Sequence, residues 1–114
     1  MLIREKDRQA IIDIAKEVIH TPIQILAYGS RVNGKAHETS DLDLVIINKN
    51  NQSLDWDELQ AFKERLQDST IPIIVQVMDW FLMPESFRQN ILKHNELFLD
   101  VSAPNQTDPK GVTS

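Results

Sequence analysis

The chain has 114 residues, 41% of them hydrophobic and 25% charged, the balance of one soluble domain with a modest core. Its formal net charge of −5 argues against a non-specific grip on a nucleic-acid backbone, so no direct nucleic-acid partner is expected. The absence of cysteine excludes disulfides, zinc–thiolate sites and thiol catalysis. It agrees with a cytoplasmic location, and with no apolar run of membrane-spanning length the sequence is read as carrying neither signal peptide nor membrane anchor.

Residues 4 to 19 are predicted to form a helix, because Ile11, Ile14, Ala15 and Val18 recur at helical spacing and charges fill the other face. His20-Thr21-Pro22 stops it. "IQILAY", Ile23 to Tyr28, reads as a short strand ending at Gly29. The polar "SRVNGKAHETS" has room for one short helix after Gly29-Ser30 and a turn at Asn33-Gly34. "DLDLVII", Asp41 to Ile47, is the clearest strand, and "NKNNQS" is the loop after it. A second amphipathic helix is expected over about 54 to 67, with Leu59, Phe62 and Leu66 on one side and Asp55 and Glu58 in the first turn. "IPIIVQVMDW", Ile71 to Trp80, reads as a third strand. Pro84 suits the first turn of a third helix in which Phe87 and Ile91 lie one turn apart. "ELFLDV", Glu96 to Val101, is a last short strand, and "SAPNQTDPKGVTS" reads as a disordered tail. The expected division is therefore a domain over 1–101 and a tail over 102–114, and the alternation of strands and helices predicts a layered α+β domain.

Two features carry chemistry. Asp41 and Asp43 open the clearest strand, and their i, i+2 spacing puts both carboxylates on one face with Cα atoms roughly 6–7 Å apart. Two like charges beside apolar neighbours are costly, and a divalent cation removes that cost; Mg²⁺ is commonly held by one or two carboxylates together with substrate phosphates. Without a ligand, Asp41 would cap a loop and Asp43 would sit on a solvated face. Upstream, Gly29 allows close backbone approach to a ligand, and Ser30 at a helix start offers a hydroxyl beside free N–H groups, a seat for phosphate. Arg31 and Lys35 add positive charge to the same loop; on their own they are two solvated bases.

The order strand, Gly29-Ser30, about ten residues, then Asp41 and Asp43 resembles the polymerase-β-like nucleotidyltransferases. Gly34 and Ser40 match the usual "GSRxxGxAxxxSDLDL" form as well, and the likeness is greatest to the minimal nucleotidyltransferase (MNT) branch. The leading helix, "IPIIVQVMDW" and "PESFRQNI" share in it, while the last dozen residues match nothing. The resemblance implies a small mixed sheet with helices mainly on one face, the palm of that superfamily. It implies that Gly29 and Ser30 hold the triphosphate of ATP and that Asp41 and Asp43 hold Mg²⁺. It also implies a helical HEPN protein as partner, with this chain as the antitoxin that transfers AMP to a hydroxyl of that partner; a homodimer is allowed too.

One part of the pattern is missing. The family's third carboxylate usually opens a "V-D-x-x-D-W" run, and here the run is Val75-Gln76-Val77-Met78-Asp79-Trp80. Gln76 is the only polar residue between Ile73 and Met78; it is neutral and no base. Read without the family, it would be a glutamine bonding locally at a strand edge. Asp79, three residues on, points to the opposite face and is expected to cap the following turn. Two functions stay open: an AMP-transferring antitoxin, or an impaired MNT subunit that neutralises or stabilises a HEPN partner by binding alone. His20, His37 and His94 form no metal-ligand spacing, and Trp56 and Trp80 are expected to be packing residues. Ser30 has no histidine base placed for it and no nucleophile elbow around it, which disfavours a hydrolase.

Overall fold

Two apolar strands joined by a polar stretch of sequence, with side chains alternating between faces, set the architecture. The computed structural model describes residues 3–29 and 41–102. The short helix expected after Ser30, the Asn33-Gly34 turn and the tail from residue 103 lie outside the described residues.

The first helix, α1, spans Glu5–Val18, with Glu5 and Asp7 in the first turn and Lys16 in the last, each favourable to the helix dipole. Asp7 is buried, and Arg4 Nε donates to it at 2.9 Å. Four strands follow among the described residues: β1 (Ile23–Tyr28), β2 (Leu42–Asn48), β3 (Val75–Asp79) and β4 (Asn95–Val101). They lie in the order β3-β2-β1-β4. β1 runs antiparallel to β2 and β4, and β2 runs parallel to β3, so the sheet is mixed. A parallel pair needs a crossover, and α2 (Trp56–Gln67) supplies it. The Asp55 carboxylate caps α2 by accepting from the Asp57 and Glu58 backbones.

Alternation along the strands builds two cores. Ile25, Ala27, Leu44, Ile46 and Val77 meet Ile11 and Ala15 of α1 and Leu59, Phe62 and Leu66 of α2. The opposite face offers Leu26 and Val45, which meet Met83 and Ile91, the latter on α3 (Glu85–Lys93), with Trp80 alongside. Among the described residues, two helices thus cover one face and a third covers part of the other. β4 shifts register against β1 between Ile25 and Leu26, and buried Phe98 lies in that irregular stretch. Arg8 steadies it from α1: its guanidinium stands 5.2 Å over the Phe98 ring and Nη2 donates 3.2 Å to the Phe98 carbonyl.

Two expectations need correction. The third strand is shorter than Ile71–Trp80: Pro72 has no N–H for a ladder, and Asp79 ends the strand by starting a 3₁₀ turn over Trp80–Leu82. β3 is an edge strand, and Gln76 is exposed on it, as the reading without the family had it. Trp56, read as a packing residue, is 68% exposed because it stands at the first position of α2, outside the stripe of Leu59, Phe62 and Leu66. No helix among the described residues is long and apolar enough to cross a membrane.

Candidate active site

The head of β2 collects the chemistry. Sheet register sets Gln76 of β3 and Tyr28 of β1 on either side of Asp43, and Asn95 of β4 beyond Tyr28. Gln76, Asp43, Tyr28 and Asn95 therefore form one line across the sheet, on the face that carries Leu26, Val45 and α3. Asn95 Nδ2 donates 3.1 Å to the Ile91 carbonyl, which ties this line to the C-terminal turn of α3. Phe87 of α3 stands edge-on to Tyr28, with ring centroids 6.3 Å apart and planes at 84°.

Gly29 closes β1 with φ +87°, in the left-handed region that side chains resist. A Cβ built there would fall well inside 3.0 Å of Asp43 Oδ2. The backbone at Gly29 and the Asp43 carboxylate are thus in direct apposition, and only glycine permits both. The approach is to the Asp43 side chain; Ser30, Arg31, Lys35 and His37 lie outside the described residues.

The acid pair is electrostatically loaded. Partial burial, and then the charge of Asp41, push the Asp43 carboxyl above its ordinary range. Burial, and then Asp43, push the Tyr28 phenol up to about 12. A divalent cation at Asp41 and Asp43 would reverse the repulsion between them, and two half-buried carboxylates on one exposed strand end suit a hard cation that keeps its remaining ligands as phosphate and water. Gln76 contributes a donor instead of a charge: its Nε2 gives a 2.5 Å hydrogen bond to Asp41 Oδ2. Among the described residues no group of three or more His, Asp or Glu side chains is placed to hold a metal.

Asp79 is not part of this cluster. Buried at 4% exposure, it accepts from Leu54 N at 2.7 Å and from Phe81 N at 2.9 Å, the capping role expected of it. Of the described histidines, the His20 N–H donates to Glu58 at the far end of β1, and His94 ends α3, one residue before Asn95. A cavity of about 290 Å³ beside Lys16, Ile19, Leu99 and Val101 also lies at that far end, by Ile23. Tyr28 and Phe87 are the neighbours that sequence reasoning missed. Tyr28 adjoins Gly29 in sequence, but its place beside Asp43 depends on hairpin register, and no local pattern announces the α3 contact.

A family model described as "Polymerase beta, Nucleotidyltransferase" matches residues 9–103. Over 89 residues the chain is 35% identical to the "Probable protein adenylyltransferase MntA" of Haemophilus influenzae, covering 78% of this chain and 76% of that protein. Among solved structures, "Crystal structure of the toxin-antitoxin with AMP-PNP" matches with a TM-score of 0.67 at 19% identity, over 82% of this chain and 73% of that one. A tri-AMPylated Shewanella oneidensis HEPN toxin in complex with MNT antitoxin matches with a TM-score of 0.64 at 15% identity, over 87% of this chain and 74% of the other. At these identities the two solved structures establish likeness of fold.

Proposed function

The chain belongs to the polymerase-β nucleotidyltransferase family, and from that premise we propose that it is a Mg²⁺-dependent protein adenylyltransferase. It moves AMP from ATP to a hydroxyl of a HEPN-type partner and acts as the antitoxin of the pair. The observation that carries this reading is the apposition of the Gly29 backbone, at φ +87°, with the Asp43 carboxylate of the Asp41–Asp43 pair. The printed names of the relatives support it, since one is called a protein adenylyltransferase and another is an MNT antitoxin complexed with an AMPylated HEPN toxin.

In this reading Asp41 and Asp43 hold the cation, and the backbone at Gly29 seats the triphosphate, with Ser30, Arg31 and Lys35 assigned to its oxygens. When bound, Mg²⁺ neutralises the triphosphate and stabilises charge as pyrophosphate leaves. The acceptor oxygen bonds to the α-phosphorus, the bond to the pyrophosphate oxygen breaks, and the hydroxyl proton passes to solvent. Gln76 does not take that proton, because an amide is no base.

A second reading is favoured by the Gln76–Asp41 hydrogen bond: a subunit that neutralises its partner by binding, with little or no transfer. Incubation of the partner complex with ATP and Mg²⁺, followed by intact-mass measurement of both chains, separates the two. One or more AMP additions to the partner support transfer, and Gln76→Asp is then expected to raise the rate about 100-fold or more, the scale of a restored general base. An intact complex with no AMP on either chain would establish the binding role instead.

A further inference from the structure

We propose that Gln76 limits this site to one divalent cation per bound nucleotide and positions Asp41 to hold it, an inference that rests on the nucleotide reading above. Asp41 and Asp43 share a face at the head of β2, and Gln76 flanks Asp43 in register on the exposed edge. From that edge the amide reaches past its register partner to Asp41, where Nε2 donates to Oδ2 at 2.5 Å. An N–H donor and a cation compete for the same lone pair, so that oxygen is engaged on the β3 side. Among the described residues, no hydrogen bond engages Asp41 Oδ1 or the Asp43 carboxylate, which leaves them to face a cation.

The protein's share of the ligands leads to the same place. Beside the nucleotide's own phosphates, Asp41 and Asp43 offer the carboxylates for one divalent ion. A pair of cations about 3.5–4 Å apart, as in two-metal sites, calls for further anionic ligands. Among the described residues no third carboxylate joins Asp41 and Asp43, and the side chain at the adjoining strand position is a neutral amide with its N–H end turned toward them. Gln76 thus has a positioning role: it orients a ligand by a hydrogen bond, as outer-shell partners of metal sites do, and it stands where a second cation would need charge.

The test counts Mn²⁺ by electron paramagnetic resonance in the presence of saturating non-hydrolysable ATP analogue, with the analogue alone as control. Wild type is expected to hold one Mn²⁺ per bound nucleotide and Gln76→Asp two. Gln76→Ala is expected to hold one, about 10-fold more weakly, because Asp41 loses its orienting partner. Gln76 is exposed on an edge strand, so these variants retain the fold. Two ions in wild type, one ion in Gln76→Asp, or unchanged affinity in Gln76→Ala would each overturn the inference. Failure of the underlying reading looks different: wild type would bind neither Mn²⁺ nor nucleotide, and both proposals would fall. One ion bound without AMP transfer supports the inference and removes only the transfer.

Discussion

Gly29 concentrates the demands of the site on one residue. Its φ of +87° and its contact with Asp43 both exclude a side chain. Gly29→Ala is expected to cost about 1–3 kcal/mol in urea denaturation, the scale of backbone strain at such positions. The same variant should lose nucleotide binding, because relief of the clash moves Asp43. Tyr28 offers a cleaner readout, being the single tyrosine of the chain. Its phenol is raised from 10.0 to about 12, so the near-ultraviolet absorbance of phenolate should titrate near 12 in the native protein. The sign for stability follows from that shift. Below pH 10 the phenol is neutral folded or unfolded; between 10 and 12 the unfolded chain loses its proton first, and stability falls across that window. Asp43→Asn should lower the Tyr28 midpoint, since the charge of Asp43 is the second cause of the shift. Asp43 is raised as well, so the cost of its charge is absent at low pH, where it is protonated, and appears as pH rises through its elevated value. That cost at neutral pH is what a bound cation would relieve.

Among the elements, β3 is short, exposed along one edge, and pinned at its end by Asp79. That carboxylate accepts from Leu54 N, ahead of α2, and from Phe81 N in the 3₁₀ turn, so one buried group joins the crossover helix to the return toward α3. Asp79→Ala would strand both donors. A loss of about 2–4 kcal/mol is expected, from two hydrogen bonds to a charged acceptor, measured as a lower midpoint in chemical denaturation. Asp55, the exposed cap of α2, is expected to matter less, about 1 kcal/mol on replacement by alanine. The contrast has a physical cause: N–H groups freed at the start of α2 can turn to water, while the Leu54 N–H is buried.

At the scale of the whole molecule, site and scaffold pull in opposite directions. The sheet brings like charges together at the head of β2, a cost that a metal-bound nucleotide would convert into stability. Mg·ATP at about 100 times its Kd is therefore expected to add about 2.7 kcal/mol to unfolding. Asp41→Asn with Asp43→Asn should abolish that gain while leaving the ligand-free protein at least as stable. Retained stabilisation in the double variant would refute the assigned metal site. Among the described residues, the line of Gln76, Asp43, Tyr28 and Asn95 lies on the sheet face that also carries exposed Phe87 and Leu97.

Much of this was legible from residue order. Helical spacing located α1 and α2 to within two residues at either end, because an amphipathic stripe is a local pattern. "YGS" and "DLD" marked the candidate site, because φ-permissive glycine and paired carboxylates carry their chemistry wherever they fold. Reading Asp79 by its period from Gln76 placed its cap correctly, for the same local reason. The length of β3 was misjudged, since apolar composition does not tell an edge ladder from the loop before it. Trp56 was misjudged because hydrophobicity alone does not say which side of a helix start meets water. Sequence determined which groups are present and, along the regular part of each strand or helix, which of them share a face. Tertiary structure decided who stands beside whom: Tyr28 next to Asp43, Phe87 over Tyr28, and the Gln76 amide on Asp41. Those are matters of register and strand order, fixed by long-range packing that no neighbouring residue encodes.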